Sequence, residues 1–338
     1  MRIPVLLVAA LLMSGCISAM ASEGLPDPAA RQAPAGPGAG TPAAHGAPQR
    51  TETPVKVELG TDGYVASRDV TVRNDFGGAP ATRVRLATEN GNVRAGAWPS
   101  GGYQLAAHLE GRGKTEQEAR AALDTLAVLN QDSLAGSLLD LGLQVRFNDP
   151  PTPLPTPVPI PVDTSSGLQR SASIVASLPA GPAEDLGAQT TNGEVAVAGL
   201  HGARLAAQST NGELAIAGAW DKAELRTTNG GVHLDALVND LEARSTNGNL
   251  GGTVESQRSC KQSLATTNGS VKLAIKDRGH GYDLSGRTTN GRVSIDVAGA
   301  HAEGKDRQEA RTPGFEGEAV QVVLDATSTN GNVELRTA

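Results

Sequence analysis

The chain repeats one short unit: QSTNGELAI at residues 208–216 is followed 18 residues later by RTTNGGVHL at 226–234. The Thr-Asn-Gly centre of this unit occurs seven times, at Asn192, Asn211, Asn229, Asn247, Asn268, Asn290 and Asn330. An eighth, more divergent unit surrounds Asn90. The successive spacings of 19, 18, 18, 21, 22 and 40 residues indicate a repeat architecture in which each unit stacks on its neighbours.

Apolar residues alternate with polar residues on both sides of each asparagine. With the asparagine counted as zero, positions −6, −4, +3 and +5 are apolar or glycine in 27 of 28 cases across the seven copies. Positions −5, −3, +2 and +4 contain no Val, Leu, Ile or aromatic residue. A period of two predicts two short strands per unit, each buried on one face.

A constant corner followed by a variable connection favours stacked coils over stacked hairpins, which would need a second good turn in every unit. We therefore predict an all-β, single-domain parallel β-solenoid with about 18–22 residues per coil. The array ends at Val333-Glu334-Leu335, and an open edge there predicts either a capping loop or self-association.

The corner itself carries three signals. Asn-Gly enters the left-handed region readily, so each copy predicts a sharp turn. A Ser or Thr always stands two residues before the asparagine, and its hydroxyl can satisfy backbone groups at the corner. Stacked asparagine side chains predict a hydrogen-bonded column.

The composition divides the chain into five segments. Thr115-Glu116-Gln117-Glu118 is a capping box, and it starts a helix that we predict over 115–129 as a cover on the sheet. The predicted segments are a signal peptide at 1–21, a disordered Ala/Pro/Gly tether at 22–50, an N-terminal β segment at 51–147, a proline-rich spacer at 148–164 and the repeat solenoid at 165–338.

Two processing sites compete within the signal peptide. Met13-Ser14-Gly15-Cys16 resembles the lipobox of bacterial lipoproteins and predicts a lipid anchor on Cys16. Ala19-Met20-Ala21 is an A-x-A site, and cleavage there would release the protein. Either site predicts an exported protein, held in the cell envelope (outer membrane or periplasm) if Cys16 is acylated and secreted otherwise.

Composition argues against several classes of function. The charge balance of 29 basic and 36 acidic side chains gives a net charge of −7, so we expect no nucleic-acid partner. Two cysteines and six scattered histidines predict no metal site, and no motif predicts a cofactor. The chain has three Phe, two Trp and three Tyr, and we expect the interior of each coil to hold about one Leu beside one Ala rather than a ring.

Three arginines share position −3, namely Arg226, Arg244 and Arg287, and they are the candidate ligand face, a strip for an anionic glycan. The alternative interpretation is a solubilising face paired with Glu224 and Glu242.

Acidic residues also stack, Glu194 with Glu213 and Glu224 with Glu242, which is the pattern that an envelope-polysaccharide enzyme would need. No base converges with either pair, so we predict no catalytic residues. The exposed threonines are also similar to ice-binding arrays, although a role in corner stabilisation explains them as well.

Four features together are typical of one family: the Thr-Asn-Gly-x-Val/Leu-x-Val/Ile/Leu units, Glu89-Asn90-Gly91-Asn92-Val93, the 115–129 helix and Ser177-Leu178-Pro179-Ala180-Gly181. Through them residues 80–338 resemble the bacterial putative-adhesin family, also described as β-strand-repeat proteins of unknown function. The resemblance implies a β-solenoid.

We expect a non-enzymatic, exported protein of the cell envelope that acts as an adhesin or surface scaffold. Its expected partner is an envelope polysaccharide or a surface protein. The alternatives are an enzyme acting on envelope polysaccharide and a self-assembling structural protein.

Overall fold

The computed structural model describes residues 46–75, 80–98, 101–135, 137–148, 169–179 and 181–338. The predicted signal peptide with Cys16, most of the tether and nearly all of the proline-rich spacer lie outside these residues. Within them the chain forms 22 strands, all in one hydrogen-bonded sheet, and one α-helix. Strand β1 begins at Gln49, so the last two residues of the predicted tether belong to a strand.

The first elements are β1 (Gln49–Glu52), β2 (Lys56–Gly60), β3 (Gly63–Asp75), β4 (Ala81–Ala87), β5 (Val93–Trp98), β6 (Gly102–Gly113), α1 (Glu116–Asp124), β7 (Leu126–Ala135), β8 (Leu138–Phe147) and β9 (Gln169–Pro179). The next are β10 (Ala183–Asn192), β11 (Val195–Asn211), β12 (Leu214–Thr227), β13 (Val232–Ser245), β14 (Leu250–Glu255), β15 (Cys260–Asn268) and β16 (Val271–Ile275). The last are β17 (Gly281–Asn290), β18 (Val293–Val297), β19 (Ala300–Gly304), β20 (Arg307–Arg311), a 3-10 turn at Phe315–Gly317, β21 (Gln321–Asn330) and β22 (Val333–Thr337).

The repeats stack in parallel and in register, which confirms the predicted β-solenoid. Leu186 pairs with Leu205 and Asn192 with Asn211, and the same alignment continues into the following coils. The coil of Asn90 stacks directly on that of Asn192. The alternating positions form one continuous apolar core that runs from the N-terminal segment through the repeats.

The corner asparagines form an unbroken ladder of side-chain hydrogen bonds. The Nδ2 of Asn211 donates to the Oδ1 of Asn192 at 2.6 Å, and Asn229 donates to Asn211 at 2.7 Å. The same contact recurs to the far end of the stack, through Asn247, Asn268, Asn330 and Asn290. The predicted column therefore exists, and it is solvent-exposed.

The hydroxyl groups two residues before the asparagines are buried and join neighbouring coils. Thr227 donates to the carbonyl oxygen of Gly212 at 3.0 Å, and Ser245 donates to that of Gly230 at 2.8 Å. Each such hydroxyl thus satisfies a carbonyl of the adjacent corner rather than of its own.

The corner asparagines do not use the left-handed backbone that we predicted, and among the described corner glycines only Gly91, Gly193 and Gly331 have a positive φ. Among the described non-glycine residues only Asp306 has a positive φ. The glycine is required for a different reason: a Cβ on Gly230 would lie closer than 3.0 Å to the carbonyl oxygen of Gly212. The same clash recurs at the other corners, so glycine is the residue that lets consecutive coils approach.

The order of the coils departs from chain order near the C-terminus. The last coil, β21 and β22, inserts between the coils of Asn268 and Asn290. Strand β18 turns back through Ala298-Gly299 into β19, which pairs with it antiparallel, while β20 pairs with β17. Strand β20 occupies one edge of β17, and β19 occupies one edge of β18. The strands of the last coil, β21 and β22, therefore pair with the opposite edges of β17 and β18.

We expected an open edge at Val333-Glu334-Leu335, and this expectation is wrong. These residues lie in β22, which is paired on both sides, by β16 and by β18. The terminal coil is instead that of Asn290, and β19 and β20 are its cap. Self-association through an open edge at residues 333–335 is therefore ruled out.

The N-terminal segment extends the stack of coils. Strand β8 pairs in parallel with β4, and β9 pairs in parallel with β5, so β8 and β9 together add one further layer to the stack of coils. Antiparallel strands then cover this end of the stack: β7 pairs with β8, and β6 pairs with β9. Strand β3 pairs with β6, and both β1 and β2 pair with β3.

The helix is a cover, as predicted, but it is shorter. The capping box is present: Thr115 accepts from the N–H of Glu118, and Glu118 reaches back to the N–H of Thr115. The helix ends at Asp124 rather than at 129, because the Thr125 hydroxyl donates to the Ala122 carbonyl and Leu126 begins strand β7. Gly111 on β6 leaves room for the helix backbone.

The interior is wider than predicted at one end of the coils. Positions −6 and −4 do combine a Leu with a small residue, as predicted: Leu186 and Ala188 are both buried on the same side of β10. Trp220, Tyr282 and Tyr103, however, are almost completely buried. Trp220 and Tyr282 lie nine and eight residues before their corner asparagines, where the coil is broad enough for a ring.

A charged cluster joins β3 to β6. Asp69 faces His108 across the strands, with 2.6 Å between Oδ1 and Nδ1, and the His108 Nε2 lies 3.2 Å from the Glu110 Oε1. The hydrogen bond to Asp69, and then that to Glu110, raises the pKa of His108 against the opposing effect of burial. Burial raises the pKa of Glu110, but hydrogen bonds from His108 and Arg112 outweigh it and lower that pKa.

We predict that Gly230→Ala destabilises the fold by about 1–3 kcal/mol, because the new methyl group overlaps the Gly212 carbonyl. The measurement is the free energy of unfolding in urea. Gly317→Ala is the control, since a Cβ there would meet no atom within 4 Å. Equal stability of the two variants would contradict the close approach of the corners.

We also predict that His108→Gln destabilises the protein more at about pH 5.5 than at about pH 8.5. A pKa raised by folding contributes stability that is complete below the unfolded value, about 6.5, and is lost as the pH rises through the folded value. Since the side chain is half-exposed, the effect should stay below about 1 kcal/mol. Melting temperatures at both pH values test this, and an effect that is larger at high pH would contradict it.

Candidate ligand-binding face

The strands that lead into the corners present a regular outer surface. Positions −6 and −4 point into the core, so positions −5 and −3 point outward. We call these outward positions the pre-corner face. From one end of the stack to the other it comprises Gly142/Gln144, Arg85/Ala87, Gly187/Gln189, Ala206/Gln208, Glu224/Arg226, Glu242/Arg244, Ser263/Ala265, Asp325/Thr327 and Ser285/Arg287.

The structure brings two of the three predicted arginines together. Arg226 and Arg244 are register partners on adjacent coils. Arg287 is separated from Arg244 by Ala265 and Thr327, because the last coil inserts between them. The spacing of the arginines along the sequence could not show this separation, because the coils do not stack in the order in which they occur in the chain.

The arginine pair shares one carboxylate. The Glu242 Oε1 lies 3.3 Å from the Arg226 Nη2 and 3.1 Å from the Arg244 Nε. Glu224 instead contacts Lys222, at 2.6 Å, and this hydrogen bond lowers the pKa of Glu224. Two guanidinium groups with one carboxylate between them leave a local excess of positive charge and free N–H donors.

A groove of about 580 Å³ lies at the N-terminal end of the pre-corner face. Strand β7, which the repeat pattern did not reveal, forms one rim. The groove is lined by Arg85, Leu86, Ala87, Leu129, Asn130, Gln131, Gly142, Leu143, Gln144, Gly187, Ala188, Gln189, Ala206 and Gln208. The repeat pattern could not reveal the lining residues from β7 and β8, because these two strands carry no Asn-Gly corner.

A second, shallower depression of about 730 Å³ lies beyond the corners, where Gly231, Gly251 and Gly252 provide no side chains. Its polar groups include Glu213 and Lys272, and Lys272 pairs with Glu334 at 3.0 Å. Glu194, the neighbour of Glu213 in the stack, lies near Arg94, at 3.5 Å.

The described residues lack two kinds of feature. They contain no group of three or more His, Cys, Asp or Glu side chains placed to hold a metal ion. They also contain no helix with the length and apolarity needed to cross a membrane.

Solved structures that are similar to this chain include those of three bacterial proteins. A putative cell adhesion protein from Clostridium sporogenes is 9% identical, with 86% of this chain and 100% of that chain covered and a TM-score of 0.34. A putative adhesin from Parabacteroides distasonis is 10% identical, with 81% and 98% covered and a TM-score of 0.36. One from Bacteroides fragilis is 13% identical, with 80% and 97% covered and a TM-score of 0.33.

None of the curated proteins compared with the chain matches it significantly. Residues 168–336, which are half of the chain and contain all seven Thr-Asn-Gly corners, match the family described as Toastrack DUF4097. The family resemblance expected from the repeat is thereby confirmed, and the chain belongs to the Toastrack DUF4097 family.

Proposed function

We propose that the protein is a non-enzymatic, exported solenoid of the cell envelope that binds an envelope polysaccharide or a surface protein through its pre-corner face. The observation that carries this proposal is the in-register column of hydrogen-bonding side chains at position −3, which runs from Gln189 through Gln208 to Arg226 and Arg244 on four consecutive coils. Gln144 lies in the same column beyond Ala87. Such a column suits an extended ligand, because it offers one contact per coil, about every 4.8 Å.

The scaffold supports binding because it holds this column rigidly. Each strand of the face pairs with a neighbour on either side, and the asparagine ladder ties the ends of the strands together. A surface that is already ordered loses little conformational entropy when a ligand binds.

The acidic residues favour binding over catalysis. A general acid that works near neutral pH needs a raised pKa, whereas the contact with Lys222 lowers that of Glu224. Glu242 and Glu194 also lie beside arginines. Glu224 is therefore suited to act as the ionised partner of Lys222 rather than as a general acid.

The N-terminal sequence supports a location in the envelope. The signal peptide predicts export, the lipobox predicts acylation of Cys16, and the Ala/Pro/Gly-rich residues that follow are typical of a flexible tether. A tether of this kind would keep the solenoid attached to the envelope.

We predict that Cys16→Ala moves the full-length protein from the membrane fraction to the soluble fraction, because it removes the thiol that is acylated. Detergent phase partitioning of the producing cells is the measurement. Ala21→Leu is the control, since it blocks the A-x-A site and leaves the lipobox intact. A Cys16→Ala protein that stays with the membrane would contradict the lipid anchor.

We predict that the Arg226→Ala/Arg244→Ala variant binds purified envelope polysaccharide or whole cells about tenfold more weakly than the unmodified protein. Arg94→Ala/Arg292→Ala is the control, since it removes the same charge from positions outside the pre-corner face, Arg94 in β5 and Arg292 directly before β18. Arg287→Ala alone should have no effect.

The readout is a binding isotherm for each variant on a panel of envelope glycans and on cells. Equal loss in both double variants would mean that net charge, and not the pre-corner face, governs binding. Absence of binding to the whole panel and to cells would remove the proposed function. Turnover of a glycan would favour an enzyme instead.

A further inference from the structure

The groove at the N-terminal end of the pre-corner face has a floor of small residues. Gly142, Gly187 and Ala206 occupy position −5 on three of its four strands. Arg85 occupies the same position on the remaining strand, between Gly142 and Gly187. The two neighbours of Arg85 in its column therefore have no side chains, and Arg85 is exposed and lines the groove.

Arg85 has no acidic partner among the described residues, unlike the cation nearest to it on the same strand. Arg83 lies within 4.0 Å of both Asp140 and Glu184. Arg204, two strands away, contacts Asp185 at 3.4 Å. The guanidinium of Arg85 is thus available for an external anion, and its fork of N–H donors matches a carboxylate.

Four amide side chains line the same groove as Arg85. Gln131 and Gln144 come from the β7–β8 hairpin, and Gln189 and Gln208 come from the first repeats. All four side chains are exposed, and none has a hydrogen-bond partner in the described part of the chain. An amide both donates and accepts, which is what a sugar hydroxyl group requires of a neighbour.

The rim adds an apolar contact. Leu129 on β7 lies opposite Gln144 and is 43% exposed, which is unusual for a large apolar side chain in this molecule. It lines the groove beside the amides. An aliphatic surface next to amides and one guanidinium is suited to the C–H face of a pyranose ring that carries hydroxyl groups and a carboxylate.

We propose that this groove binds a uronic acid unit of an acidic polysaccharide, with the carboxylate on Arg85, the hydroxyl groups on the glutamines and the ring against Leu129. The proposal rests on the proposed function and names the class of ligand. Since Gln208 adjoins Arg226 in the next coil, the polysaccharide continues along position −3 toward Arg226 and Arg244.

Other anionic polymers fit this groove less well. Its lining contains no aromatic residue on which a nucleobase could stack. The protein carries a net charge of −7, so it lacks the broad positive surface that attracts nucleic acid. One guanidinium among four amides matches a ligand with one negative charge and several hydroxyl groups per unit.

The test uses isothermal titration of the full chain with oligogalacturonate and with oligomannuronate, and with the same oligomers after reduction of their carboxyl groups. At least one acidic oligomer should bind, and its reduced form should bind about tenfold more weakly. Arg85→Gln should cause a similar loss, and Arg85→Lys a smaller one, because lysine keeps the charge but not the fork. Arg94→Gln is the control.

Arg85→Gln should leave the melting temperature unchanged, because the side chain has no partner to lose. Equal binding of acidic and reduced oligomers, no effect of Arg85→Gln, or no binding of either acidic oligomer would each overturn the inference. If the protein still binds cells through Arg226 and Arg244 in any of these cases, the proposed function stands without it.

Discussion

The close approach of neighbouring corners is the constraint on which the rest of the structure depends. A Cβ on any corner glycine would overlap the adjacent backbone, and a buried hydroxyl such as that of Thr227 donates to the glycine carbonyl of the neighbouring coil. Together these contacts allow only one register between neighbouring coils. If one coil shifted by one residue, the hydrogen bond from the hydroxyl would be lost, and a residue with a Cβ would take the place of the corner glycine and clash with the adjacent backbone. The asparagine ladder then follows as a consequence of that register.

Because the register is fixed, residues at the same position of each repeat lie next to one another on successive coils and form columns on the surface. A column offers a ligand the same position on every coil, so its chemistry depends on which coils are adjacent. The insertion of the last coil shows how much this matters: it places Ala265 and Thr327 between Arg244 and Arg287 and breaks a strip that chain order makes continuous. The groove forms at the opposite end, where the repeats give way to the β7–β8 hairpin.

The partners of the cations decide which of them are available to a ligand. Arg83 and Arg204 are matched by nearby carboxylates, and Arg226 and Arg244 share one. Arg85 lies between two glycines and has none within the described residues. Exposed ion pairs contribute little to stability, so their larger effect here is to neutralise the cations that take part in them.

The sequence by itself determined the local features, namely the strands, the corner positions, the capping box and the asparagine column, because each depends on residues close in the chain or on an exact repeat. Only the tertiary structure decided the order of the last coils, the end of the helix at Asp124, the sites of the buried rings and the groove around Arg85. These depend on which strand edges remain free after β19, β20 and β7 have paired, and that competition between distant segments leaves no local pattern.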